Sequence, residues 1–174
     1  MLAIYLQMIP DEREHAKFER VYHKYKNLMF HCANEILNNN EDAEDAVHTA
    51  FEVLAKNISI ISEVDCPKTR NFVVIIVERK AIDALRKRKG YADMGLNEAI
   101  AGIEVTMPES GGLAAAIAKL KPRYREVILL HYVSGFSAKE IAKMLDKKAD
   151  SVQKLIYRDK EALRKQLEKE GMNV

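Results

Sequence analysis

Between residues 11 and 37 the apolar side chains Phe18, Val21, Tyr22, Tyr25, Leu28, Met29, Cys32, Ala33, Ile36 and Leu37 return at steps of three and four. This is the period of one face of an α-helix, so the spacing predicts a long amphipathic helix. Asn38, Asn39 and Asn40 break the pattern, and Glu41-Asp42 open a second periodic run of Ala43, Ala46, Val47, Ala50, Phe51 and Leu54. The acidic pair is expected to supply the N-cap and a charge suited to the positive end of the helix dipole. This second helix should end near Asn57. Residues 58–68 contain Ser, Asp and Pro and read as a loop. A third helix is expected over 69–89, apolar nearly all round in its first half (Phe72, Val73, Ile75, Ile76, Val77) and basic in its second (Arg79, Lys80, Arg86, Lys87, Arg88, Lys89). Taken alone, the β-branched run could be a buried strand. No second strand candidate exists to pair with it, so a helix is the consistent reading.

Residues 90–112 carry five of the seven glycines, one proline and no basic residue, which predicts a flexible linker. Beyond it the pattern gives a short helix over 113–120, a helix opened by Pro122 and running to about Val133, a break at Gly135, a short helix over 137–145, and a last helix from about Asp150 to Glu168. The fold class is therefore all-α, two small helical domains joined by a flexible linker, the C-terminal one a helix-turn-helix.

Length and composition fit that division. The 174 residues suffice for one medium domain or two small ones, and 48% hydrophobic with 31% charged residues excludes a wholly disordered chain. The longest apolar run, 72–77, is far shorter than the about 18 residues a membrane-spanning helix needs, and the N-terminus has no signal-peptide pattern. A soluble, cytoplasmic protein without membrane insertion is expected. The two cysteines, Cys32 and Cys66, cannot make a disulfide framework. Charge is more telling by segment than in total. Residues 1–89 hold 14 basic and 14 acidic side chains, residues 90–112 none and 4, and residues 113–174 hold 14 and 8. A basic C-terminal block points to a polyanionic partner.

The candidate chemistry lies in that block. Ala142 stands four residues before Asp146, and Val152 six residues after it. A helix-turn-helix needs this arrangement: a small residue where two helices cross, a turn position tolerant of left-handed backbone, and an apolar anchor on the second helix. With Val152 and Ile156 inward, helical spacing turns Ser151, Lys154 and Arg158 outward, with Gln153 and Tyr157 on the flank. Two ordinary helices with a solvated face are the plain alternative, and the local positive charge favours DNA. In the first domain Arg79, Lys80, Arg86 and Lys87 repeat about every seven residues and share a helix face able to follow a phosphate backbone. A solvated charged face is the plain alternative, and the apolar first half of the helix, which leaves the basic end projecting, favours nucleic acid.

Read in order, these segments resemble the extracytoplasmic-function (ECF) sigma factors, the smallest type of bacterial RNA polymerase sigma subunit. Asp42-Ala43-Glu44-Asp45-Ala46-Val47 followed by Phe51 resembles the family's polymerase-binding helix. Arg70 and Phe72 occupy its Arg and Trp positions, and Ala81-Ile82-Asp83-Ala84-Leu85-Arg86 resembles its promoter-melting helix. Leu120, Pro122-Arg123, Arg125-Glu126-Val127, Tyr132, Gly135-Phe136-Ser137 and Glu140-Ile141-Ala142 match the opening of its second domain. The resemblance implies an N-terminal extension at 1–13, region two at 14–89, the acidic linker at 90–112 and region four at 113–170. It implies polymerase contacts from Asp42, Glu44, Asp45 and His48, and −10 contacts from Arg70, Phe72, Arg79, Lys80, Arg86 and Lys87. Contacts to −35 DNA would come from Ser151, Gln153, Lys154, Tyr157 and Arg158.

The partners implied are the clamp and flap of core RNA polymerase, promoter DNA and an anti-sigma factor, which could hold the protein at the membrane; in holoenzyme the protein would join the nucleoid. No catalytic residue, cofactor or metal is implied. The chain departs from the family at Arg79 (usually Asn), Asp146 (Gly), Lys147 (an apolar turn residue), Lys148 (a Ser cap) and Leu155 (an outward Arg), which bears on promoter affinity and not on the fold. A sigma-like interaction protein with weak promoter recognition is the alternative of a different class, and a stand-alone helix-turn-helix repressor would leave region two without a role. His15, His23, His31, His48 and His131 are scattered, and His31 and Cys32 point about 100° apart on a helix, so a shared metal is not expected. A nuclease built on Glu44 and Asp45 would need converging metal ligands that the sequence lacks. Tyr22, Tyr25, Tyr132 and Phe136 read as core residues.

Overall fold

The most apolar stretch of the chain becomes the hub of its N-terminal half. The computed structural model describes residues 1–88, 116–117, 119–120, 122–169 and 171. Among these every regular element is helical, and the chain divides into two compact units, Met1–Met94 and Gly95–Val174. The linker expected at 90–112 and half of the short helix expected at 113–120 lie outside the described residues.

The first unit holds α1 (Leu2–Gln7), α2 (His15–Leu37), α3 (Asn40–Lys56) and α4 (Pro67–Arg88), with single 3₁₀ turns at Glu12–Glu14 and Ile58–Ile60. Residues 71–78 of α4 are all buried, because α2 and α3 both pack against it. A helix enclosed on every side has no polar face to show, and this is why the sequence gives a run there and not a stripe. Each Val, Ile or Phe so buried is worth about 1.5–3 kcal/mol. On α3 the buried positions include Ala43, Ala46 and Ala50, small enough to bring its backbone close to its neighbours. The cap of α3 is Asn39, not the acidic pair: its side-chain oxygen accepts the Asp42 amide at 2.9 Å. Asn38 closes α2 in the left-handed region at φ 49, so extended Asn39 is the residue that turns the chain into α3. Glu41 and Asp42 then occupy the first turn, where their charge still suits the dipole.

The segment before α4 is pinned at several points. Ile58, Ile61 and Val64 are buried, the Tyr25 hydroxyl donates to the Val64 carbonyl at 2.7 Å, and Thr69 Oγ1 donates to the Glu63 carbonyl at 2.5 Å. Asp65 takes Arg20 at 2.7 Å and also Lys24, and the Lys24 hydrogen bond holds its carboxyl below the usual carboxylate range. Pro67 starts α4 two residues earlier than expected, at the first helical position, where its missing N–H costs nothing.

In the second unit α5 (Pro122–Ile128) runs into a π-turn over Leu129–Val133, followed by α6 (Ala138–Met144) and α7 (Ala149–Lys169). Ser137 and Glu140 form a reciprocal capping box: Ser137 Oγ accepts the Glu140 amide and the Glu140 carboxylate accepts the Ser137 amide. Beyond α6, Asp146 adopts φ 50, the Lys147 amide reaches back to the Ala142 carbonyl at 2.9 Å, and the Asp146 amide faces that of Lys143 at 3.4 Å. This is a Schellman ending, in which the left-handed residue is usually glycine. Left-handed backbone costs an L-residue about 1–2 kcal/mol, least for Asp and Asn, while glycine gives up about 0.4–1 kcal/mol through the entropy of the unfolded chain. Asp146→Gly should therefore raise the stability of the second unit by about 0.5 kcal/mol, read as a higher denaturation midpoint. A lower midpoint would mean that the aspartate side chain contributes more than the strain removes.

Candidate functional site

The helix-turn-helix forms from α6 and α7, which pack on each other, while α5 also packs on α7. Ala142 is buried where α6 meets its partner, and Val152 and Ile156 face inward from α7. A methyl at 142 is what lets two helices joined by so short a turn approach closely. The remaining positions of the first two turns point out: Ser151, Gln153, Lys154, Tyr157 and Arg158 are all exposed, and Leu155 is half-buried. The Arg158 guanidinium lies 6.0 Å from the centre of the Tyr124 ring of α5, a cation–π contact invisible from sequence spacing because it joins residues 34 positions apart. Lys148 opens α7 through its carbonyl, which accepts the Val152 amide at 3.1 Å. Its side chain has no oxygen with which to cap.

Tyr132 does not join the core. It is 50% exposed, because the π-turn adds a residue to the helical repeat: Leu129 and Leu130 are buried in succession and the ring two positions later swings out. Its neighbour His131 has Nδ1 at 2.8 Å from the Phe136 carbonyl across the Gly135 turn.

In the first unit the residues expected at DNA separate into two groups. Arg86 and Lys87 are exposed at the end of α4, Arg86 with Asp83 at 3.7 Å. Arg70, Arg79 and Lys80 are half-buried. Phe72, expected at −10 DNA, is fully buried at 0% exposure: it stands in the run of α4 that α2 and α3 enclose, where its ring serves the core of the unit and presents no surface to a nucleic acid. Glu78, one of the buried residues of that run, is a carboxylate that no motif or spacing singles out. Burial pushes the Cys32 thiol up to about 11, with Glu78 adding to the shift and Arg70 opposing it. Cys32 is thereby kept a neutral thiol.

The acidic candidates on α3 are likewise divided. Glu44 and Asp45 are exposed. Asp42 pairs with Arg88 at 2.8 Å, and Arg88 also reaches the Leu37 carbonyl at 3.3 Å. His48 is half-buried: the Tyr5 hydroxyl lies 2.6 Å from its Nδ1, and Glu52 lies 3.3 Å from its Nε2. Tyr5 belongs to α1, a helix within the segment read from sequence as an extension. Its ring packs among Phe18, Tyr22 and Phe51, and burial, with Tyr22 and Glu52 adding, pushes its hydroxyl up to about 12. Among the described residues no group of three His, Cys, Asp or Glu side chains converges as a metal site, and no described helix is long and apolar enough to cross a membrane.

Comparison with known proteins covers both units. The family model "Sigma-70 region 2" matches residues 21–91 and "Sigma-70, region 4" matches residues 111–163. The chain is 30% identical over 162 residues to the ECF RNA polymerase sigma factor SigW of Bacillus subtilis, covering 82% of this chain and 84% of that protein. It is 28% identical over 153 residues to the RNA polymerase sigma factor SigV of the same organism, covering 86% and 90%. The sigma factor RpoE of Bartonella quintana, solved in complex with the anti-sigma factor NepR, aligns with a TM-score of 0.48 at 17% identity, over 87% of this chain and 97% of that one.

Proposed function

The chain belongs to the sigma-70 family as an ECF-type sigma factor, one of a family of initiation factors and not of enzymes, and it directs RNA polymerase to promoters; from that premise we propose which of its surfaces do so. Region two, over 14–89, binds the polymerase clamp through α3 and reads and melts the −10 element through α4 and the segment before it. Region four, over 113–170, binds the flap and sets α7 into the major groove of the −35 element. Residues 90–112 join the two. An anti-sigma factor that covers these faces is the expected brake, and the cytoplasm is the expected place of action, with sequestration at the membrane where that factor is anchored there.

The observation that carries this reading is the face of α7. Five polar or aromatic side chains stand exposed on its first turns while Val152 and Ile156 hold it to the domain. This is the division of labour a recognition helix requires, with anchors behind and hydrogen-bonding groups in front. The test is run-off transcription with core polymerase on a library of random promoters. Selected templates should share two separated elements, and initiation with no sequence selection would overturn the reading.

On α3 the exposed pair Glu44 and Asp45 is proposed to meet a basic surface of the clamp, with Asp42 set apart by its bond to Arg88. Reversing both charges together (Glu44→Lys with Asp45→Lys) should weaken holoenzyme assembly by on the order of tenfold or more, measured by co-sedimentation with core enzyme, and leave the helical circular dichroism unchanged. Unaltered assembly would remove α3 from the interface.

A further inference from the structure

Asp65 stands where two cations of α2 converge. Arg20 and Lys24 lie one turn apart on that helix and both grip the Asp65 carboxylate, Arg20 Nη2 at 2.7 Å from Oδ2 and Lys24 Nζ on Oδ1. The Lys24–Asp65 hydrogen bond lowers the carboxyl and raises the ammonium, so both stay charged. Two positive charges against one negative leave the cluster basic. It is also open: the side chains of Arg20, Asp65 and Lys24 are 66%, 51% and 43% exposed, so an incoming anion can reach both cations without any unfolding.

The cluster adjoins the surface assigned to −10 DNA. Asp65 closes the segment before α4, and the Tyr25 hydroxyl, next to Lys24 in sequence, donates to the Val64 carbonyl beside it at 2.7 Å. Burial raises that hydroxyl above its ordinary range, and Lys24, Asp65 and Arg70 are all close enough to act on it. Arg70 of α4 and the two cations of α2, far apart in the chain, thus share one neighbourhood. The backbone of the segment is anchored independently of Asp65, by buried Ile58, Ile61 and Val64 and by the Thr69 bond to the Glu63 carbonyl. An exposed ion pair adds little to stability and is screened by salt. A guanidinium fork beside an ammonium is, in contrast, well matched to a phosphate, and the Asp65 carboxylate lies where the phosphate oxygens would go.

We propose that Arg20 and Lys24 form a backbone-phosphate site for −10 DNA, and that Asp65 fills this site in the free protein until the strand displaces it. The inference rests on the assignment of α4 and the segment before it to the −10 element, and it extends that surface onto α2. The ligand is a nucleic-acid phosphate and not an acidic protein, because the two cations adjoin Arg70 and the segment that meets the DNA.

The test uses holoenzyme assembled from the full chain and core polymerase, titrated onto a fluorescent duplex with an opened −10 element recovered by run-off selection. Asp65→Asn removes the competing charge at nearly constant size. It should melt within a few degrees of wild type, bind this DNA about three- to fivefold more tightly, and steepen the salt dependence by about 0.7 in slope, one contact on a single strand. Arg20→Gln with Lys24→Gln should weaken binding by about fivefold and flatten the slope, and in the Asp65→Asn background it should abolish the gain. A gain that persists without the two cations would be a general charge effect and would overturn the site. Weaker binding by Asp65→Asn would make the aspartate a support for the segment, which also overturns the proposal. Unchanged DNA binding by these variants, while Arg86→Gln with Lys87→Gln on α4 weakens it, would remove the α2 site alone. Unchanged binding by the α4 variant as well would remove the −10 assignment and this inference with it. Tighter assembly of Asp65→Asn with core polymerase at unchanged DNA affinity would give the cations to an acidic protein surface, against the proposal.

Discussion

Phe72→Ala should lower the unfolding free energy of the N-terminal unit by about 3–5 kcal/mol, the range for truncating a fully buried aromatic. The residue is 0% exposed and lies in the continuous buried run 71–78 of α4, so there is no side on which the cavity could open to water or collapse cheaply. A domain of this size has a total stability of only about 5–15 kcal/mol, so the variant should melt many degrees lower and lose −10 DNA binding as a consequence of unfolding. Phe72→Leu, which keeps most of the volume, should recover both most of the stability and all of the DNA binding of whatever fraction folds. If Phe72→Leu were fully folded and still failed to bind −10 DNA, the aromatic ring itself would be at the interface and its burial would have to be transient.

The second large effect is expected on α7. Lys154→Ala and Arg158→Ala should each cost about 1–3 kcal/mol of −35 duplex binding and relax the choice of base at one position. At least fivefold in affinity is lost in each case. Both side chains are exposed on the face away from Val152 and Ile156, so neither change should alter folding. Arg158 has an additional constraint: its guanidinium rests against Tyr124, which narrows its directions before DNA arrives. Arg158→Lys should therefore rescue little, because an ammonium keeps the charge but loses both the fork and the stacking plane. Leu155 is half-buried, so in Leu155→Arg the stem can lie along the apolar surface with the charge in solvent. That variant should bind the −35 duplex more tightly. A stable Arg158→Ala protein that initiates normally from a −35-dependent promoter would mean that another helix reads the element.

What the sequence made legible follows from how local each signal is. α2 is an amphipathic stripe whose buried face periodicity recovers, and on α7 it recovers Val152 and Ile156 but not the buried Asp159, a charged residue that no apolar spacing marks; the turn before α7 is marked by a small residue and an anchor at fixed distances. Three features escaped because they depend on contacts distant in the chain or on a break in the period. α1 gains its place from a tyrosine that finds His48, 43 residues away. Tyr132 is turned outward by a π-turn that no spacing rule anticipates. Phe72 occupies a position that in the family holds Trp, and identity by position carries no information on whether a ring points into the core or out of it. On α3 the composition correctly marks an acidic helix start but cannot say that Arg88, 46 residues on, takes one of its carboxylates.

The alanines of α3 set a limit of another kind. Ala43, Ala46 and Ala50 are buried with nothing longer than a methyl between the α3 backbone and its neighbours, so they act as spacers of fixed thickness. A larger residue at any of the three would move the whole helix outward and, with it, the height of Glu44 and Asp45 above the surface, even where the domain still folded. Sequence drift on this helix is thus confined to its solvent side. Under the proposed docking of α3, the surface that faces polymerase is gauged from behind, by residues that polymerase would never touch.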